Sequence, residues 1–190
     1  MQFEEDSFYV EKTKNGDLKA FGKLVQKHQG YAFTLAQRIL NNHHESEEAV
    51  QDAFVKAFQA INSFEGKAKF TTWLYTIIYN EAIQRFRKRK NHSDIEDFRE
   101  DCEFHSNQLD GFSLLNSNER KEILKEGLSK MKPAESAVLT LFYLNQFSIK
   151  EIEKITYQSN SQVKILLHRG RKNLYDILQR QTKNELSQLL

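Results

Sequence analysis

Two stretches of the chain carry the side-chain types that a polyanion needs. From Gly66 to Lys90 the bases Lys67, Lys69, Arg85, Arg87, Lys88, Arg89 and Lys90 face the single acid Glu81, and Phe64, Phe70, Trp73, Tyr75, Tyr79 and Phe86 are interleaved with them. Unpaired bases stack on exposed rings, at about 1–3 kcal/mol per base, while cations follow the phosphates, so this segment suits a separated nucleic-acid strand. Trp73, Tyr75 and Tyr79 cannot all share one buried helical stripe with Leu74, Ile77 and Ile78, which predicts that some rings are exposed or lie at the boundary. Taken singly, Trp73 and Phe70 fit a core between helices equally well. The second stretch runs from Lys164 to Lys183, with Lys164, Arg169, Arg171, Lys172, Arg180 and Lys183 against Asp176. At the start of a helix, Ser161, Gln162, Lys164, Ile165 and His168 could meet base edges in a major groove, while Arg169, Arg171 and Lys172 reach phosphates. A short helix pair at this spacing also occurs in bundles that bind nothing.

No catalytic constellation is present. His43 and His44 beside Glu45 and Glu47, or Cys102 with His105, offer two or three ligands each and read as helix-cap and linker residues, so no metal is expected. A Gly-rich phosphate loop, a Gly-x-Ser-x-Gly turn and an ordered Ser/His/Asp set are all missing, so neither a cofactor nor an enzymatic reaction is expected. Between the basic blocks Asp94, Glu96, Asp97, Glu100, Asp101 and Glu103 face only Arg99, and before them Glu45, Glu47, Glu48 and Asp52 cluster against Lys56. Two positive blocks separated by a negative spacer suggest one polyanion touched at two places; solvated basic helix faces are the plainer alternative.

The elements that must hold these residues are helical. One hundred and ninety residues allow one domain or two small ones, and 39% hydrophobic with 28% charged residues excludes both a disordered chain and a membrane protein. The longest apolar run, Ala137 to Leu144, is less than half of the roughly 20 residues a spanning helix needs, and the start of the chain is acidic where a signal peptide is basic, so neither membrane insertion nor export is expected. Cys102 is the only cysteine, which fits a cytoplasmic protein without disulfides. One proline and seven glycines suit long helices and short turns, so the fold class is all-α.

Asn15-Gly16-Asp17 predicts a turn and cap before a helix from Leu18 to Leu40, which Gly30 could interrupt. A second helix is expected from Ser46 to Ile61, and a third capped by Thr71 and running to Lys90, the three forming a first domain over 1–90. Residues 91–116 read as an acidic linker, and about 26 residues can span about 90 Å when extended. A second domain over 117–190 is expected to hold a helix from Ser117, one opened by Pro133, a short helix after the capping box Ser148-Ile149-Lys150-Glu151, and a basic helix after the capping box Ser159-Asn160-Ser161-Gln162. A short helix, a tight turn and a basic second helix make a helix-turn-helix.

With these motifs in place, the chain resembles the compact, extracytoplasmic-function sigma factors, which keep only regions 2 and 4. Glu47-Glu48-Ala49-Val50-Gln51-Asp52-Ala53-Phe54 and Phe70-Thr71-Thr72-Trp73-Leu74-Tyr75 through Ile77 to Asn80 are similar to region 2. Met131-Lys132-Pro133, Glu151-Ile152 and Val163-Lys164 with Leu167-His168-Arg169 are similar to region 4. The resemblance implies a subunit that docks on core RNA polymerase and directs it to promoter DNA. Glu47, Glu48, Gln51, Asp52 and Phe54 would then meet the clamp helices of the largest polymerase subunit. Ser63 and Phe64, with Glu65 and Gly66, would hold a base flipped from the −10 element, with Lys69, Phe70, Thr72, Trp73, Tyr75, Asn80, Arg85 and Lys88 forming the −10 and melting surface. Ser161, Gln162, Lys164, Ile165, His168, Arg169 and Arg171 would contact the −35 element, although Gln162 to Leu167 and Glu153 depart from the usual pattern of the family. The resemblance also brings in an anti-sigma factor as a candidate partner. Two other readings of the residues stay open here: a helix-turn-helix regulator that works without polymerase, and a helical adaptor that binds only proteins.

Overall fold

The structure, a computed structural model, describes residues 2–89 and 117–188, with side chains over 5–89 and 123–181. The acidic spacer, Lys90 and the Cys102/His105 pair lie outside the described residues. Every regular element among the described residues is a helix. They are α1 (Gln2–Lys14), α2 (Leu18–Leu40), α3 (His43–Ala60), a single tight turn (Ile61–Ser63), α4 (Phe70–Arg89), α5 (Ser117–Ser129), α6 (Pro133–Leu139), a wide turn (Thr140–Leu144), α7 (Ile149–Thr156) and α8 (Asn160–Gln188).

Helix α1 is absent from the expectations above, because the face it buries is Asp6, Val10 and Thr13, a helical spacing with two polar members that apolar periodicity cannot reveal. Asp6 is held by α2: Lys27 Nζ lies 2.7 Å from Oδ1 and His28 Nε2 lies 3.2 Å from Oδ2. Burial opposes ionisation of Asp6, but the hydrogen bonds from His28 and Lys27 outweigh it and hold the carboxyl below its ordinary value.

Helix α2 starts where Asp17 Oδ1 accepts from the Lys19 and Ala20 backbone N–H groups and stops at Asn41, whose φ of 49° is left-handed. Gly30 does not break it. Helix α3 starts at His43, three residues before the expected Ser46, because Asn42 Oδ1 takes the Glu45 N–H and caps it earlier. Thr71 does not cap α4. The helix already begins at Phe70, the Lys69 carbonyl accepts the Trp73 N–H, and Thr71 is interior. Leu24, Leu35, Ile39, Leu40, Leu74 and Ile78 fill the core between α2, α3 and α4, each buried side chain contributing about 1.5–3 kcal/mol.

In the second half Pro133 opens α6, and the helix widens at its end, where the Asn145 N–H donates to the Thr140 carbonyl five residues back. Ser148 and Glu151 form the expected capping box of α7, and Tyr157, at φ 55°, turns the chain into α8. Helix α8 crosses α6 at Gly170, where an added Cβ would sit 3.1 Å from Leu139, tighter than ordinary packing, so the missing side chain eases this approach. The two halves also touch each other: α7 packs on α4, and α6 on α2.

Candidate nucleic-acid and polymerase interfaces

The acidic face of α3 is exposed at Glu47, Glu48, Gln51 and Asp52, whereas Phe54 is 7% exposed and meets Phe21 edge-on in the core. Arg85 does not join the aromatic residues. Its guanidinium donates to Glu48 (2.9 Å), to Asp52 and to Glu81 (3.4 Å), while Lys56 also pairs with Glu81 and Arg89 reaches Glu45 at 3.3 Å. Part of the basic block therefore balances the α3 acids. The i,i+4 spacing of Glu81 and Arg85 is the only trace of this network in the sequence. His43 and His44 pair along the helix with Glu47 and Glu48 at 3.5 and 3.4 Å, and no cluster suited to a metal ion occurs among the described residues.

The rings gather where the tight turn leads into α4. Phe64, Phe70 and Trp73 have centroids 5.2–5.8 Å apart, with Phe70 buried and Phe64 and Trp73 half-buried. Gly66, at φ +74°, bends the loop beside them, a conformation costly for any residue with a Cβ. Next to the loop is a cavity of about 470 Å³, lined by Gly66, Lys67, Lys69 and Thr72 and, from α7, by Glu151 and Lys154. Thr72 is only 2% exposed, and its hydroxyl has no hydrogen-bond partner among the described residues. The Ser63 hydroxyl is committed locally, donating to the Ala60 carbonyl at 2.7 Å.

The expected exposure of the rings holds for Trp73 and not for the tyrosines: Tyr75 and Tyr79 are 2% and 5% exposed. Helix α4 is covered on more than one side, by α2 and α3 and again by α7, so reasoning from a single buried stripe does not apply to it. Burial raises the pKa of Tyr75, with Tyr31 adding to the shift, and raises that of Tyr79 to about 12 against the opposing charge of Arg87. Asn80 and Lys88 are exposed.

At the start of α8, Ser161, Gln162 and Lys164 are exposed and Ile165, His168 and Arg169 half-buried. Gln162 is partly committed, because its Oε1 accepts the Ser159 N–H at 2.9 Å. Arg171 turns back, donating to the Leu167 carbonyl (3.1 Å) and the Tyr143 hydroxyl (3.4 Å). Glu153, the departure in α7, accepts a hydrogen bond from the Asn160 amide and so ties the two helices together.

An acid-faced helix, a ring-and-lysine loop and a helix-turn-helix define a two-module helical protein. Residues 24–92 match Sigma-70 region 2 and residues 121–174 match Sigma-70, region 4. The chain is 31% identical over 177 residues to the ECF RNA polymerase sigma factor SigW of Bacillus subtilis, covering 87% of this chain and 92% of that protein. It is 30% identical over 157 residues to the ECF RNA polymerase sigma-E factor of Escherichia coli K12, covering 79% and 82%. Among solved structures, CnrH in complex with the cytosolic domain of CnrY shares the fold at TM-score 0.66 and 21% identity, covering 93% of this chain and 98% of that one. The sigma factor RpoE of Bartonella quintana, solved with the anti-sigma factor NepR, does so at 0.64 and 24%, covering 85% and 98%. The chain belongs to the extracytoplasmic-function group of the sigma-70 family. It is a transcription-initiation subunit that binds core RNA polymerase and directs promoter recognition and DNA melting, and it is not an enzyme. No described helix is long and apolar enough to cross a membrane.

Proposed function

We propose that this sigma factor divides its work among the three surfaces described above, in the cytoplasm. The exposed acids Glu47, Glu48 and Asp52, with Gln51, meet the clamp helices of the polymerase, and Phe54 shapes that face from below. Phe64 and Trp73 stack on unpaired −10 bases, Lys67 and Lys69 follow the backbone, and Thr72 lines the cavity beside them. The start of α8 enters the major groove at −35, led by the exposed side chains of Ser161 and Lys164. The observation that carries this reading is the half-buried ring cluster beside a lysine-bearing cavity, since stacking and cationic tracking are what a separated strand needs. Unstacking costs a few kcal/mol per base, so the free protein binds promoters weakly and melts them only with polymerase. An anti-sigma partner is part of the proposal, supported by two similar structures, one solved with the anti-sigma factor NepR and one with the cytosolic domain of CnrY.

The test adds purified chain to core RNA polymerase and sequences the transcripts that start. New, sequence-specific start sites are expected. Tight operator binding by the chain alone, with no association with core, would instead favour a regulator independent of polymerase.

A further inference from the structure

A separate cavity of about 360 Å³ opens where α2 meets the second half of the chain, and it shares no residue with the one beside the ring cluster. Its body is apolar: Leu124 and Leu128 come from α5, Leu139 from α6, Leu144 from the wide turn and Leu174 from α8. Leu124 and Leu144 are 42% and 48% exposed, apolar surface that the fold leaves uncovered. The charged residues on the wall are Arg38, Lys125 and Arg171, all cations, and no acid lines the cavity among the described residues.

Arg38, half-buried on α2, is short of acceptors. A guanidinium carries five N–H donors. Here Nη1 donates to the Lys125 carbonyl at a long 3.3 Å, and Nε is sealed from solvent with no partner among the described residues. Burial alone pulls the Arg38 pKa below the ordinary arginine value, with no carboxylate to offset the lost water. Arg171 differs, since the Leu167 carbonyl and the Tyr143 hydroxyl both accept from it.

A half-buried cation on an apolar, acid-free cavity fits an anion that carries an apolar body. A carboxylate matches the guanidinium fork and brings one charge against one, and leucine walls suit an alkyl tail. The space is too small to seat a helix of another protein: one helical turn, about 11 Å across and 5.4 Å long, takes about 500 Å³. Small-molecule sites, by contrast, start at about 300 Å³. We infer that this cavity binds a small amphiphile with a carboxylate head and an alkyl tail, such as a medium-chain fatty acid, its head on Arg38 and its tail among the five leucines. Such a ligand touches both halves of the chain, because Arg38 belongs to α2 and the leucines to α5 through α8.

Isothermal titration calorimetry of the full chain with hexanoate, octanoate and decanoate tests the site, with octanol and octyltrimethylammonium as head-group controls. One ligand per chain is expected, with affinity rising about threefold for each added methylene. Octanoate should bind about tenfold more tightly than octanol, and the ammonium compound more weakly than either. In spectra of methyl-labelled leucines, the shifts caused by octanoate should centre on Leu124, Leu128, Leu139, Leu144 and Leu174. Arg38→Gln should bring octanoate down to the level of octanol and leave octanol unchanged, which separates a lost head contact from a damaged cavity. Leu124→Trp, at an exposed position, narrows the mouth and should weaken both ligands.

Neither heat nor leucine shifts with millimolar octanoate would overturn the inference. Several octanoates per chain, with shifts scattered over the surface, would do the same, since that is detergent-like adsorption. A preference for octanoate that survives in Arg38→Gln, or an equal loss of octanoate and octanol in that variant, overturns the pairing of the carboxylate with Arg38.

Discussion

Asp6 shows how one buried charge fixes the position of a helix. At 4% exposure its carboxylate is tolerated only because Lys27 and His28 hold it, and those contacts join α1 to α2. Asp6→Asn is expected to cost about 1.5–3 kcal/mol in urea unfolding at neutral pH, the range for hydrogen bonds to charged groups. Because the folded pKa lies below the unfolded one, the stabilisation is complete above the ordinary aspartate range, near pH 4, and is lost as pH falls through the lower folded value. The acid limb of the stability curve should therefore flatten in the variant. Trp73 is the corresponding residue for function. Packed on Phe64 and Phe70 yet half-buried, it can lose its ring without emptying the core. Trp73→Ala should lower open-complex formation by about 10- to 100-fold, as one lost stacking contact predicts, with core binding unchanged. Permanganate reactivity of thymines near the start site, set beside a pull-down of core enzyme, separates the two effects.

Among the elements, caps and glycines explain most of the boundaries. Gly30 lies inside α2, and a Cβ added there would meet nothing within 4 Å, so it serves neither a turn nor a close approach. Gly30→Ala should raise stability by about 1 kcal/mol through helix propensity alone, measurable as a higher urea midpoint at unchanged slope. The helix-turn-helix was legible because its signals are local: in the Ser148/Glu151 and Ser159/Gln162 boxes the paired residues sit one helical turn apart, and both form as expected. The aromatic cluster was legible in part, since Phe64, Phe70 and Trp73 converge within one loop and the first turn of α4. What was hidden depended on distant partners. Helix α1 buries the carboxylate of Asp6, which Lys27 and His28 make acceptable, and Tyr75 is packed against Phe147 from the far half of the chain. The ion pairs of Arg85 were hidden as well, because its charge was visible in the sequence and the approach of Glu48 and Asp52 from α3 was not.

At the scale of the whole molecule, the two modules share a continuous apolar core that runs from Leu74 and Tyr75 through Phe147 to Ile152 and Ile155. A flexible tether alone would let each module unfold by itself, whereas shared packing couples their transitions. Burial of Tyr75 and Phe147 supplies about 1.5–3 kcal/mol for each ring, and the Lys69–Glu151 pair adds up to about 1 kcal/mol at its half-exposed site. A coupling of a few kcal/mol is a large share of the stability of a small module, enough to draw the weaker one into the transition of the stronger. Differential scanning calorimetry of the full chain should therefore give one endotherm. Phe147→Ala removes the central ring, and the endotherm should split or acquire a low-temperature shoulder. The higher-melting component then belongs to the module that keeps its own core, α2 to α4 with Leu24, Leu35, Ile39, Leu74 and Ile78. Two separate endotherms in the parent chain would mean that the contact between α4 and α7 is too weak to link the modules.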